Sequence, residues 1–224
     1  MEMNESMIRD RMRAPKAGAI AGIVFAVLLA SFYILIRMSV PENPRDAGLW
    51  LSEGWSNVAF ALNLVPFAGI AFLWFMGVLR DRMDAREDRL FATVFLGSGL
   101  LFLAMLFVAT AIAGGIIVLY GTIPSRLMES SLYSFGRIAV YQIINIFALK
   151  MAGVFMISIS TLAIRLGLFP RWTALLGYAL ALFLILSVGF VYWAPIVFPL
   201  WVFLISVQIL VSNLKPAPAR PALD

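Results

Sequence analysis

Lys150 is the residue whose position first indicates chemistry. It lies near the middle of an apolar segment, residues 138–164, that is long enough to cross a bilayer as a helix. An ionisable side chain at that depth is costly to keep and commonly functional. On a helical wheel Gln142 and Ser158 fall on the same side as Lys150, whereas Asn145 does not. The pattern predicts that this polar side faces the bundle or a cavity and not lipid.

No carboxylate is predicted at the depth of Lys150, because all 12 acidic residues fall outside the predicted spans. Four interpretations follow. In the first, the amine is neutral because burial disfavours its charged form. In the second, it bonds to Asn63, to Gln208 or to backbone carbonyls freed by Pro66. In the third it binds an anionic ligand, and in the fourth its long aliphatic side chain reaches a polar pocket. The candidate ligand-binding residues are Lys150, Gln142, Ser158, Asn63 and Gln208.

Enzymatic uses of this lysine fit the sequence poorly. Retinal attachment needs seven spans and normally a carboxylate counter-ion, which this chain does not offer. A serine–lysine hydrolase would use Lys150 as its base, but Ser158 and Ser160 are not at a productive spacing. The chain has no Cys and no His, which excludes thiol nucleophiles, imidazole catalysis, Cys/His zinc sites and the usual haem ligands. We expect no catalytic residue, no metal and no cofactor.

The elements that must position Lys150 follow from composition. Of 224 residues, 62% are hydrophobic and 13% are charged, against about a quarter charged in soluble domains. The chain is therefore expected to be an all-α polytopic membrane protein, with six transmembrane helices in one bundle and no separate soluble domain. The predicted spans cover residues 17–36, 57–79, 90–120, 138–164, 172–192 and 196–214.

The segments outside the spans are short. Residues 1–16 form a basic N-terminal segment, and residues 215–224 form a Pro/Ala tail predicted to be disordered. The third span is longer than a perpendicular helix needs. We expect it to tilt, to protrude or to break at Gly114–Gly115.

The basic residues predict that both termini are cytoplasmic. In that orientation twelve Lys and Arg residues lie inside, four lie outside and Lys150 lies in the membrane, which accounts for all 17. The four predicted outside are Arg37, Arg45, Arg126 and Arg137. The net charge of +5 thus reflects membrane topology, and no nucleic-acid partner is expected.

Two stretches resemble segments of bacterial multi-spanning membrane proteins of unknown function. They are GVLRDRMDAREDRLFATVFLGSGLLFLAMLF, residues 77–107, and RLGLFPRWTALLGYALAL, residues 165–182. The resemblance implies a multi-pass protein of the bacterial plasma (inner) membrane with about six helices. It implies no activity and no site residues.

Three classes of function are compatible with these features. The first is a non-enzymatic accessory or interaction subunit, in contact with the lipid bilayer and packed against itself or a membrane-protein partner. The second is a small transporter or channel for an anionic or amphipathic solute, with Lys150 in the path. The third is a lipid-modifying enzyme, which the absence of His, Cys and intramembrane acids disfavours. A polar cavity at Lys150 would favour the second class, and a dry bundle the first.

Overall fold

The protein is helical along almost its whole described length. The computed structural model describes residues 2–43, 45–46, 48–81, 89–167, 170–187 and 191–212; 90% of this part is helical and it contains no strand. The helices are α1 (Glu2–Ser39), α2 (Trp50–Glu53), α3 (Trp55–Asp81), α4 (Arg89–Thr122), α5 (Pro124–Glu129), α6 (Ser131–Gln142), a π-helical segment (Ile143–Ala148), α7 (Leu149–Leu166), α8 (Arg171–Leu186), a 3₁₀ turn (Ala194–Ile196) and α9 (Val197–Ser212).

Five helical stretches are long and apolar enough to cross a membrane. They are Lys16–Ser39, Trp55–Arg80, Leu90–Thr122, Ser131–Arg165 and Ala194–Ser212. These stretches confirm the predicted all-helical class and indicate a membrane protein. Helix α8 has 16 residues, fewer than the roughly 20 that a span needs, and residues 188–190 lie outside the described part. The sixth span and the orientation of the termini therefore stay predictions, as does the tail at 215–224, which also lies outside it.

The third stretch is one unbroken helix. Helix α4 contains 34 residues and runs through Gly114–Gly115 without interruption. At 1.5 Å per residue it measures about 50 Å, well beyond the roughly 30 Å of a bilayer's hydrocarbon core. Of the three outcomes expected for this span, breakage at the glycine pair does not occur.

The fourth stretch contains a feature that the sequence analysis did not predict. Between α6 and α7 the backbone continues as the π-helical segment Ile143–Ala148. π-Helical insertions are rare in proteins overall, and those that occur are often found at functional sites.

Helix α7 ends at Leu166, and the next residue, Gly167, has a φ of 65°. This is the left-handed conformation that a glycine commonly adopts after a helix.

The core is built on phenylalanine. The buried ring of Phe72 on α3 lies 4.5 Å from Phe25 on α1 and 5.1 Å from Phe155 on α7, between ring centroids. Phe102 on α4 and Phe198 on α9 lie 4.7 Å apart and also contact Phe72. All five rings are almost completely buried, so one aromatic cluster joins all five spans.

Packing makes the fourth stretch the central one. Helix α1 packs mainly on α3 and α9, while α7 packs on α8 and α4. Within an apolar 18-residue window of each stretch, 61% of the fourth and 28% of the third is buried in the bundle, the highest and lowest values of the five. One face of α4 is therefore left without a helical neighbour in the described part of the chain.

Candidate functional site

Lys150 occupies the second position of α7, directly after the π-helical segment, and is half-buried. Within the described part of the chain, no acceptor lies within hydrogen-bond or ion-pair distance of its ammonium group. Three cavities are lined by described residues of α3 and α4, of the end of α1, and of the end of α3, and Lys150 does not line any of these three.

The other four predicted ligand-binding residues lie at separate places. Asn63 is exposed on α3 and donates to the Ala59 carbonyl, 2.8 Å away. Ser158 donates to the carbonyl of Val154 on its own helix, 3.0 Å away. Gln142 is exposed at the end of α6.

Gln208 on α9 takes part in helix packing. Its Oε1 accepts a hydrogen bond from Thr173 on α8, 2.9 Å away. Among the described residues, no hydrogen bond joins any two of the five predicted side chains. Their role as a common binding site stays a prediction.

The residues on the predicted polar side of the fourth span differ in burial among the described residues. Phe155 and Ala148, predicted on the opposite side, are completely buried in the core, and so are Ser158 and Ser160. The reason is that α7 is enclosed by α4 on one side and α8 on another. The wheel also assumed regular α-helical spacing, which the π-helical segment interrupts between Gln142 and Lys150.

The structure assembles a different polar site at the end of the bundle near the C-terminus of α1. Nη2 of Arg37 donates to Oδ1 of Asn145, 3.1 Å away. The guanidinium also lies over the Tyr192 ring, 3.8 Å from its centroid, within cation–π range. Asn145 is buried in the π-helical segment and uses its amide nitrogen on the Tyr141 carbonyl. The site thus joins the first span, the fourth span and the segment before α9.

A second polar group closes the same end of the bundle. Arg137 on α6 forms an ion pair with Asp46, 3.0 Å from Nη2 to Oδ1, and both side chains are only 12% exposed. The Tyr133 hydroxyl donates to the same carboxylate at 3.2 Å, and Trp50 Nε1 donates to the Tyr133 oxygen at 3.0 Å. Asp46 also accepts from the Gly48 amide, 2.8 Å away. These bonds fix the connection after α1 against α6.

A small cavity of about 50 Å³ lies between these groups. Its polar lining consists of Tyr33, Arg37, Glu42, Arg137, Tyr141, Asn145 and Tyr192. Guanidinium groups are suited to carboxylate and phosphate oxygens, so the lining can recognise an anionic group. Within the described residues, no three His, Cys, Asp or Glu side chains are placed to hold a metal ion.

These residues were not predicted as a site from the sequence. Arg37 and Arg137 were counted only as two of four basic residues on one side of the membrane. Both arginines are predicted at the ends of spans on the same side of the membrane. This common location is the signal from which their proximity could have been predicted. Asn145 was not included among the candidate residues, because the helical wheel placed it away from the side that contains Lys150.

Comparison with known proteins adds no assignment. The chain matches no protein-family model, no curated protein and no solved structure. Its resemblance to bacterial multi-spanning proteins stays a prediction.

Proposed function

We propose that this protein is a membrane-embedded accessory or interaction subunit that acts by associating with another membrane protein or with a copy of itself. The observation that carries the proposal is the aromatic cluster across the bundle. Phe72 contacts Phe25, Phe102, Phe155 and Phe198, and these rings occupy the space through which a solute path between the five spans would run. The proposal includes no catalysis.

The second candidate, a small transporter or channel for an anionic or amphipathic solute, rests on Lys150. It would require a polar path leading to that lysine. Three cavities lined by described residues do not include Lys150, and the core beside α7 contains Phe155 and Ala148 with no exposed surface. These observations favour the accessory subunit.

A groove of about 470 Å³ between α3 and α4 is the surface that we propose for association. It lies on the least buried span, and Val118 on its lining is 66% exposed. Two of its polar groups have partners within their own helices, since the Asn63 amide nitrogen donates to the Ala59 carbonyl and the Thr110 hydroxyl donates to the Leu106 carbonyl. The Asn63 carbonyl oxygen has no donor among the described residues, so the partner helix that fits is apolar with one hydrogen-bond donor facing Asn63.

Photocrosslinking in native membranes tests the proposal. Benzoylphenylalanine replaces Val118 in the groove or, as control, Leu182 on α8, which is also exposed. We expect one defined protein adduct from position 118, either a second copy or one partner, and lipid adducts alone from position 182. The adduct should disappear in Gly114→Phe, which fills the groove. Absence of a protein adduct at 118, or solute flux through the purified protein in liposomes, would contradict the proposal.

We further propose six spans in a bacterial plasma membrane with both termini inside. The support is the distribution of basic residues. The chain has no cysteine, so single Ser130→Cys and Asp84→Cys variants give clean labelling with an impermeant thiol reagent. We expect labelling of intact cells at 130 and not at 84; the reverse pattern would overturn the orientation.

A further inference from the structure

The two arginines that line the small cavity differ in how their charges are matched. Arg137 is paired with Asp46 and also donates to the Pro41 carbonyl, 3.1 Å away. Arg37 has no carboxylate within ion-pair distance in the described part of the chain. Glu42, the other acidic residue on the lining, is exposed and forms no ion pair with a described residue. The cavity therefore contains one half-buried guanidinium whose charge is not matched locally.

The hydrogen-bond capacity of Arg37 is also largely unused. A guanidinium carries five N–H donors, and the one bond that involves a described partner goes to Asn145 Oδ1. Tyr192 covers one face of the group and donates its hydroxyl to the Val40 carbonyl, 3.3 Å away. These two contacts hold the guanidinium in one orientation and leave N–H groups for which the described residues supply no acceptor. A guanidinium held in one orientation with available N–H donors can bind two oxygens of a carboxylate or phosphate at once, through two parallel hydrogen bonds.

The size and location of the cavity define what it can bind. A volume of about 50 Å³ corresponds to roughly two water molecules, which admits one oxyanion group and leaves the rest of a larger molecule outside the cavity. The cavity lies at the end of the first span, since Arg37 on its lining is in the last turn of α1. The end of a span lies near the headgroup level of a bilayer, so both a lipid phosphate and an ion from solution occur at this depth.

From these observations we propose that the Arg37–Asn145–Tyr192 pocket binds a phosphate group, either that of an anionic lipid headgroup or free phosphate. Arg37 supplies the charge and the donors, while Asn145 and Tyr192 orient it. Asn145 lies in the π-helical segment, and its Oδ1 meets Arg37 of α1. This site is separate from Lys150 and from the α3–α4 groove, and it does not depend on the proposed association.

Thermal unfolding of the full-length protein tests the site, with two arms that distinguish the sources of phosphate. In detergent, inorganic phosphate is compared with chloride at equal ionic strength. In nanodiscs, phosphatidylglycerol is compared with phosphatidylcholine. Binding to the native state raises Tm, and we expect a rise on the order of 5 °C near saturation for a protein of this size. A rise in detergent identifies free phosphate, and a rise in nanodiscs alone identifies a lipid headgroup.

The variants identify the residue. Arg37→Gln should lose the rise in Tm. Arg37→Lys should keep a smaller rise, because an ammonium group replaces the planar set of guanidinium donors. Arg126→Gln, at an exposed position, is the control and should keep the full rise. No rise in either arm for wild type, or an unchanged rise in Arg37→Gln, overturns the proposal.

Hydrogen exchange of the wild-type protein provides a test that needs no variant. Bound phosphate should slow exchange in peptides that cover residues 37–42 and 141–145, because these peptides contain the lining residues of α1, its following connection and the π-helical segment. Exchange in peptides from α8 should not change, because no residue of α8 lines it. Unchanged exchange around the pocket under conditions that raise Tm would place the anion elsewhere and contradict the assignment, even if Arg37→Gln does not fold.

Discussion

Arg37 and Asn145 are 108 positions apart in the chain and are joined by a hydrogen bond of 3.1 Å from Nη2 to Oδ1. The bond connects the end of α1 to the π-helical segment of the fourth span. Asn145 is 7% exposed, so its carbonyl oxygen would be unsatisfied without the arginine. The pair therefore stabilises both the closure of the bundle at this end and the orientation of the guanidinium.

Replacement of Asn145 by Leu should weaken this connection. A hydrogen bond to a charged donor contributes about 1.5–3 kcal/mol, and Leu keeps the side-chain volume while it removes the acceptor. We expect a loss of that size in the free energy of unfolding, measured by titration with sodium dodecyl sulfate in mixed micelles. The exposed Asn57→Leu variant is the control and should change little. Equal stability of the two variants would show that the Arg37–Asn145 bond contributes nothing.

Phe72 should be the most sensitive position of the aromatic cluster, because it contacts five other rings. Phe72→Ala leaves a cavity in a closely packed core, which costs about 3–5 kcal/mol in unfolding free energy. Phe67 on the same helix is 63% exposed, and Phe67→Ala should cost far less. The same titration measures both, and similar losses would contradict the packing described for α3.

Gly177 on α8 is required by close packing against α7 and α9. A Cβ there would overlap Ser160 Oγ and lie 3.0 Å from Trp201 Nε1. Gly177→Ala should therefore destabilise the protein by about 1–3 kcal/mol. Gly115→Ala on α4 is the matched control, since nothing lies within 4 Å of its Cβ, and Ala favours a helix over Gly by up to about 1 kcal/mol. A more stable Gly177→Ala protein would show that these helices are not in contact there.

The ion pair between Asp46 and Arg137 should contribute more than a surface pair. Both side chains are 12% exposed, and exposed pairs contribute about 0–1 kcal/mol. A double-mutant cycle with Asp46→Asn and Arg137→Gln should give a coupling energy of about 1–3 kcal/mol. The two single variants should also increase proteolysis within residues 41–48. A coupling energy near zero would reduce this contact to an incidental one.

The sequence predicted the class of fold because apolar segments of membrane length are strong signals. Residues 17–36 and 57–79 fall within helices α1 and α3. It did not predict that α4 stays continuous through Gly114–Gly115, because a glycine pair weakens a helix without dictating a break. Helix α8 is described over Arg171–Leu186, and residues 188–190 lie outside the described part, so the end of that span at residue 192 stays a prediction.

The candidate site was harder to predict for a geometrical reason. The wheel for the fourth span assumed 100° per residue, and the π-helical segment breaks that periodicity where Asn145 lies. The partners of Asn145 come from distant positions, Arg37 and Tyr192, and no local pattern pairs them. Lys150 was predicted as a binding residue because a single charged residue in an apolar segment is easily recognised in the sequence. That no described residue bonds to its ammonium group can be seen only in the structure.

The most direct test of the closed bundle is the water accessibility of position 150. The natural chain has no cysteine, so Lys150→Cys introduces a single thiol, with Ser130→Cys as an exposed positive control. An impermeant methanethiosulfonate reagent is applied separately to each side of sealed vesicles, and it reacts only with thiols that ionise in water. We predict rapid modification at 130 from one side and no modification at 150 from either side. Modification of position 150 at a rate comparable to that of position 130 would reveal an aqueous path through the bundle and contradict the proposed function.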